Sequence, residues 1–221
     1  YVLLGDAEKA QSWIDAARAR GAGNRWELQA RRSVAEWQGD WDGLFRVGQL
    51  YLAKGGAVWQ GQASLGKGDW EAARASFKRS LSAMNYRSDD PPTGNVLESL
   101  IGLALAEKRL GLDTWSEHAE AARQYTEKAL NHAVHFGSWP SKNGNFLLAQ
   151  IAAIEGDIER VVKHMRAVQD NGDLRHRFFA VDPSFAEYRD DPRLVAITEE
   201  MARRAEAERR KLRAPATAAP T

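Results

Sequence analysis

Hydrophobic positions along the chain recur every three or four residues, which is the period of an amphipathic α-helix. Ala72, Ala73, Phe77, Leu81 and Met84 follow this spacing in one stretch. The same spacing recurs at Leu3, Leu4, Ala7, Ala10, Ile14 and Ala17, across Val96–Leu105, and at Phe146, Leu147, Leu148, Ile151 and Ile154. No stretch sustains a strict alternation of apolar and polar residues. The pattern predicts an all-α fold.

Gly-Asp pairs punctuate the helical stretches. They begin at Gly5, Gly39, Gly68 and Gly156, at spacings of 34, 29 and 88 residues. Glycine adopts the left-handed conformation that ends a helix, and aspartate caps the helix that follows. After three of the pairs, a small or aliphatic residue lies five places beyond the glycine, a larger apolar residue four places later, and a third residue three places after that. The three sets are Ala10, Ile14 and Ala17; Ala73, Phe77 and Ser80; and Val161, Met165 and Val168. The small residue lets two helices approach closely, so we expect repeated helix pairs.

The runs Leu4–Ala10, Leu65–Ala73 and Glu127–Leu130 resemble the tetratricopeptide repeat, a helix–turn–helix unit of about 34 residues. The resemblance implies an α-solenoid, a right-handed superhelix of stacked antiparallel helix pairs with a concave groove. It places a half repeat up to Arg20 and units at about 24–53, 55–84, 94–133 and 143–170. We expect repeats over residues 1–171, capping helices over 172–213 and a disordered tail over 214–221. Because Tyr1 falls inside a repeat, we expect the chain to be a fragment of a longer protein.

Proline-containing segments mark the breaks between helices. The segments 87–94, with Pro91-Pro92, and 137–144, around Pro140, are predicted to be loops, and Asn171-Gly172 is predicted to end a helix. Further on, Asp182-Pro183 and Asp191-Pro192 each combine an N-cap aspartate with a proline at the first helical position. We expect a short helix after the first pair and a long one from Pro192 to Arg213. The expected cover for the last repeat consists of Phe178, Phe179, Phe185, Leu194, Val195 and Ile197.

The two Asp-Pro pairs, followed by a helix rich in Glu and Arg, resemble the ending of a group of bacterial multidomain signalling proteins. The group includes winged-helix transcription regulators and class III adenylate cyclases. The resemblance implies an effector domain upstream of Tyr1. The compartment stays open between the cytoplasmic and the periplasmic face of a bacterial inner membrane protein.

Composition and charge narrow the classes of function. Lys and Arg total 31 against 30 Asp and Glu, a net charge of +1 that excludes an overall field for binding polyanions. The absence of cysteine excludes a thiol nucleophile and a Cys-ligated metal. No apolar run approaches the ~18 residues of a membrane span. The basic stretch near the C-terminus is interleaved with glutamates, as on a solvated helix, so we expect no nucleic acid to bind there.

Catalytic and metal chemistry have weak support in the sequence. His132 and His135 lie three residues apart, but no third ligand follows at helical spacing. No hydrolase, nucleotide-binding or zinc-protease motif occurs. We therefore expect no enzyme activity, no metal and no cofactor, and the residues give no reason to expect a deep pocket with convergent titratable groups.

The tryptophans and glutamines point instead to a binding groove. In the repeat register, the inner face of a first helix carries Trp26, Gln29, Ser33, Glu36 and Trp37, and later units place Gln62, Phe146 and Gln150 similarly. Aromatics and amides replace the Lys and Asn with which some tetratricopeptide domains grip a carboxylate, so we expect an apolar or amide-bearing peptide. Trp13, Trp41, Trp59, Trp70 and Trp115 are expected to pack between helices.

The function predicted from these patterns is a non-catalytic scaffold for a protein or peptide partner, as the sensor or interaction part of a bacterial regulator. An alternative remains open. The chain could be a helical self-association domain, a homo-oligomer, of a signalling enzyme such as an adenylate cyclase.

Overall fold

A computed structural model describes residues 6–21, 24–51, 55–87, 93–131 and 138–213. These residues form helices and no strand, which confirms the all-α prediction. The helices are α1 (Ala7–Ala19), α2 (Arg25–Gln38), α3 (Trp41–Leu50), α4 (Gly56–Gly66), α5 (Trp70–Ala83), α6 (Gly94–Arg109), α7 (Trp115–Asn131), α8 (Ser138–Glu155), α9 (Ile158–Asp170), α10 (His176–Val181) and α11 (Pro192–Arg213), with a 3-10 helix at Pro183–Phe185. The predictions for Tyr1, Pro91-Pro92, His132, His135 and residues 214–221 lie outside the described residues.

The three Gly-Asp pairs whose glycines lie among the described residues separate helices as predicted. Gly39, Gly68 and Gly156 have φ angles of 70, 74 and 89°, a region that favours glycine. The aspartate that follows each glycine accepts a hydrogen bond from the backbone N–H three residues further on, at 2.8 Å for Asp40, 3.1 Å for Asp69 and 3.0 Å for Asp157. Each pair therefore satisfies the last turn of one helix and the first turn of the next.

Each helix from α1 to α8 packs against the next helix in the chain. The positions predicted to sit between paired helices are buried, with Ala10 at 6% exposure and Ala73 and Phe77 at 0%. Phe77 on α5 lies between two glycines, Gly61 on α4 and Gly102 on α6. A β-carbon at these glycines would lie 2.6 and 2.2 Å from the Phe77 ring, so both helices approach the ring closely because they carry no side chain there.

The C-terminal elements form a second core against α8 and α9. Phe179, Phe185, Leu194 and Ile197 are buried there, and Phe178 packs on the cluster while partly buried. The long helix begins at Pro192 and ends at Arg213, as the Asp-Pro pair predicted. Asp182 caps the 3-10 helix by accepting a hydrogen bond from the Ser184 N–H at 2.8 Å.

The helices near the C-terminus contact the first two helices of the chain. Helix α10 packs against α2. The Arg177 guanidinium carbon lies 4.8 Å from the ring centre of Trp37, a cation–π distance. Arg213 of α11 also donates to Asp6, the cap of α1, at 2.9 Å. Helix α10 and the two residues before it, Leu174 and Arg175, are called the α10 segment below.

Two local predictions are wrong. Helix α8 begins at Ser138, so residues 138–144 are helical and not a loop. Pro140 lies in the first turn of α8, where backbone N–H groups lack a partner within the helix and proline is tolerated. Trp13 is 58% exposed instead of packed, whereas Trp59 is buried and Trp41, Trp70 and Trp115 pack against the main core while partly buried.

Candidate binding cavity

A cavity of about 770 Å³ lies between α2, α4, α5, α6, α8 and the α10 segment. Its volume falls within the range of roughly 300–1,000 Å³ that is common for ligand sites. Helices α2, α4, α6 and α8 supply much of its wall, and Trp41 at the start of α3 also lines it. The α10 segment and the turn after it also line the cavity, through Leu174, Arg175, Phe178, Val181, Asp182, Pro183 and Ser184.

Six of the eight residues predicted for the groove line this cavity: Gln29, Ser33, Glu36, Gln62, Phe146 and Gln150. Trp26 and Trp37 do not line it. Trp26 lies in the first turn of α2 and is 77% exposed, with the Arg25 guanidinium 6.0 Å from its ring. Trp37 lies under Arg177, and its buried Nε1 has no hydrogen-bond partner among the described residues.

Arg32 donates hydrogen bonds to three other polar side chains that line the cavity. Its Nε donates to Glu36 Oε1 at 2.7 Å, within α2. Its Nη2 donates to both carboxylate oxygens of Glu98 on α6, at 3.0 and 2.9 Å, and to Gln62 Oε1 on α4 at 3.3 Å. The guanidinium also lies 5.4 Å from the ring centre of Trp59. Arg32 therefore adds a cation to a wall for which the sequence suggested aromatic and amide side chains.

The ionisation of this cluster is set by burial and by neighbouring charges. Burial acts to lower the pKa of Arg32, but the charges and hydrogen bonds of Glu36 and Glu98 outweigh burial and raise it. For Glu36, by contrast, the effect of burial outweighs that of the opposite charge nearby. Burial raises its pKa above the ordinary value, the nearby Glu98 and Asp182 carboxylates add to the rise, and Arg32 offsets only part of it.

Asp182 brings a further carboxylate into the cavity from the turn after α10. Gln150 of α8 donates to its Oδ2 at 2.6 Å, and the Ser184 N–H donates to its Oδ1. Burial raises the pKa of Asp182 despite these bonds and the nearby Arg189 charge. The carboxylate thus belongs to both the cap of the 3-10 helix and the cavity wall.

The rest of the wall is largely apolar. Phe77, Ile101, Leu147, Phe146 and Phe178 contribute to it. Arg175 lies with its guanidinium 5.5 Å from the Phe146 ring centre and pairs with Asp173 at 2.9 Å. The cavity therefore presents apolar surface together with a few fixed polar groups, which is the usual make-up of a specific ligand site.

Sequence reasoning missed Arg32, Glu98 and Asp182. The spacing of Arg32 and Glu36, four residues apart, signals an ion pair on one helix face. Glu98 and Asp182 come from distant segments, 66 and 150 residues after Arg32, and no local pattern joins them. The convergence of titratable groups in a deep cavity is a finding of the structure.

No protein-family model, no curated protein and no solved structure matches the chain. In the part of the chain that the structure describes, no helix is long and apolar enough to cross a bilayer. The same residues hold no group of three or more His, Asp and Glu side chains placed to bind a metal ion.

Proposed function

We propose that the chain is a non-catalytic binding domain of tetratricopeptide type that takes a short segment of a partner protein into the central cavity. The observation that carries this proposal is that Gln29, Ser33, Glu36, Gln62 and Gln150 line one cavity from three helices. Consecutive helix packing and the Gly-Asp turns support the helix-pair repeat. The likeness of the chain's ending to bacterial signalling proteins supports a place in a larger regulator.

The cavity chemistry suits binding better than catalysis. Its hydroxyl side chains are those of Ser33 and Ser184, and no histidine from the described residues lines it to serve either as a base. Arg32 and Asp182 already have protein partners that hold them in place. Fixed, paired groups of this kind position a ligand and select it by shape and hydrogen bonding.

A selection from a random peptide library displayed on phage tests this function. Ser33→Phe fills the cavity, and Ala75→Phe places the same ring on the exposed face of α5 as a matched control. We expect enriched peptides to bind the wild type and Ala75→Phe and to lose binding to Ser33→Phe. Peptides that bind Ser33→Phe as well as the wild type, or an absence of enrichment, would contradict the proposal.

Self-association is a second candidate, favoured by one observation. Trp13 on α1 and Trp26 on α2 are 58% and 77% exposed, and large exposed indoles often mark contact surfaces. Sedimentation velocity over a range of concentrations tests it. A mass that rises with concentration, and that Trp13→Ser with Trp26→Ser returns to that of a monomer, would support it; a monomer throughout would dismiss it.

A further inference from the structure

The charges that line the cavity do not balance. Three carboxylates, from Glu36, Glu98 and Asp182, face it together with two guanidinium groups, from Arg32 and Arg175. Arg175 is already neutralised by Asp173, which is not part of the cavity wall. Arg32 pairs with Glu36 and Glu98, and the cation near Asp182 is Arg189, so two cations stand against three carboxylates. The described cavity wall therefore has a deficit of positive charge.

Glu36 retains capacity for another donor. Arg32 donates to its Oε1, and no described residue donates to its Oε2. The side chain is 17% exposed and lines the cavity, so it is not fully shielded from a ligand there. Asp182 lines the same cavity, and its charge adds to the rise in the pKa of Glu36. Two carboxylates facing one enclosed space cost energy unless a cation lies near them.

The apolar part of the wall suits the stem of a long side chain. Phe178 and Val181 on α10 line the cavity together with Asp182, and Phe146 on α8 lines it as well. Lys and Arg side chains combine an aliphatic stem with a terminal cation, so they match apolar walls with carboxylates between them. Guanidinium groups in addition stack on aromatic faces, as Arg175 does on Phe146.

We propose that the cavity binds a cationic side chain of the partner segment, a guanidinium or an ammonium group, against the carboxylates of Glu36 and Asp182. The inference rests on the proposed function, because it takes the cavity as the site where the partner segment enters. It replaces the wholly apolar or amide-bearing segment that the sequence suggested. Arg32 then has a positioning role, since it holds Glu36 and Glu98 in place without contacting the cation.

Three capped tripeptides that differ in one side chain test the inference. They are acetyl-Leu-Arg-Leu-amide, the same peptide with citrulline in place of arginine, and the same peptide with glutamate. Citrulline keeps the shape and hydrogen-bonding groups of arginine but has no charge. Titrations followed by the amide NMR signals of the protein at millimolar peptide should give an arginine peptide bound at least about tenfold more tightly than the citrulline peptide. The glutamate peptide should bind weakest.

Charge-neutral variants supply the controls. Glu36→Gln with Asp182→Asn keeps the acceptors for Arg32 and Ser184 but removes both charges, so the preference for arginine over citrulline should fall toward one. Glu71→Gln removes an exposed carboxylate outside the cavity and should keep the preference. The preference in the wild type should also grow as pH rises through the ionisation of Glu36 and Asp182. The charged groups around these two residues are Arg32, Glu98 and Arg189.

The possible results distinguish a failure of the cation preference from a failure of the proposed function. Citrulline and arginine peptides that bind equally, with shifts at cavity residues, would overturn the cation preference and leave the cavity as the binding site. Binding of none of the three peptides would overturn the inference, while peptides enriched by the library selection and blocked by Ser33→Phe would still uphold the proposed function. A preference for arginine that survives the double variant would also overturn it.

Discussion

Arg32 on α2 donates to both carboxylate oxygens of Glu98 on α6, although the two residues lie 66 positions apart in the chain. Helices α2 and α6 are not consecutive in the chain, so this contact ties together two separate parts of the cavity wall. Their side chains are 13% and 19% exposed, which places the ion pair largely out of bulk water. A pair of this kind is costly to break because the remaining charge stays buried.

Arg32→Met should therefore destabilise the protein. Glu36 and Glu98 would lose their shared cation, and we expect the free energy of unfolding to fall by about 3 kcal/mol. Urea denaturation measures the loss. Arg32→Met combined with Glu36→Gln and Glu98→Gln should recover most of it, because no unpaired charge remains. A single variant as stable as the wild type would show that the ion pair contributes little.

Gly102→Ala should destabilise the main core in spite of the higher helix propensity of alanine. The new β-carbon would lie 2.2 Å from the buried Phe77 ring, so the ring or the helix must shift. Overpacking of this kind costs about 1–3 kcal/mol, against a propensity gain of about 1 kcal/mol. Thermal or urea unfolding gives the net change. In a protein that also carries Phe77→Leu, Gly102→Ala should lower the free energy of unfolding by a smaller amount. An equal loss with and without Phe77→Leu would show that the Phe77 ring does not cause the strain.

The raised pKa values of Glu36 and Asp182 predict how stability depends on pH. Both carboxyl groups hold a proton more tightly in the folded state than at their ordinary values of 4.5 and 3.8. Their contribution to stability is full below those values and is lost as pH rises through the raised folded-state values. Glu36→Gln with Asp182→Asn should match the wild type near pH 3 and become relatively more stable toward pH 7. Glu71→Gln should show no such trend. A difference in stability between the double variant and the wild type that stays constant with pH would contradict the prediction.

The elements after Asn171 should be needed for solubility. Phe179, Phe185, Leu194 and Ile197 pack against α8 and α9, so deletion of residues 172–221 would expose Phe146, Val161 and Met165. We expect most of the truncated protein to be insoluble on expression. Deletion of 214–221 alone serves as the control and should leave yield and melting temperature unchanged. A long truncation that is soluble and equally stable would argue against the covering role.

The helix ends at the Gly-Asp pairs could be predicted from the sequence, because a turn and a cap involve only a few neighbouring residues. The turn at Gly39-Asp40 needs only a left-handed residue and a capping side chain, and both are visible in the sequence. The start of α8 was missed because Pro140 breaks a helix in its interior but not in its first turn.

The candidate site was predictable only along each helix. Gln29, Ser33 and Glu36 share a helix face and do line the cavity, so periodicity placed them correctly. Trp37 lies one position beyond Glu36 and turns toward Arg177 instead. The return of the α10 segment onto α2 brings Asp182 to the cavity, and this long-range packing leaves no periodic trace in the sequence.

The most direct test of the cavity as the binding site is the response of the tryptophan indole N–H signals to a selected peptide. Trp41 lines the cavity, whereas Trp13 and Trp26 are exposed outside it. Two-dimensional NMR of the ¹⁵N-labelled protein, with the indoles assigned by Trp→Phe variants, would follow all three. The account predicts that the Trp41 signal shifts on titration while those of Trp13 and Trp26 stay in place. Shifts at Trp13 and Trp26 with an unchanged Trp41 would contradict it.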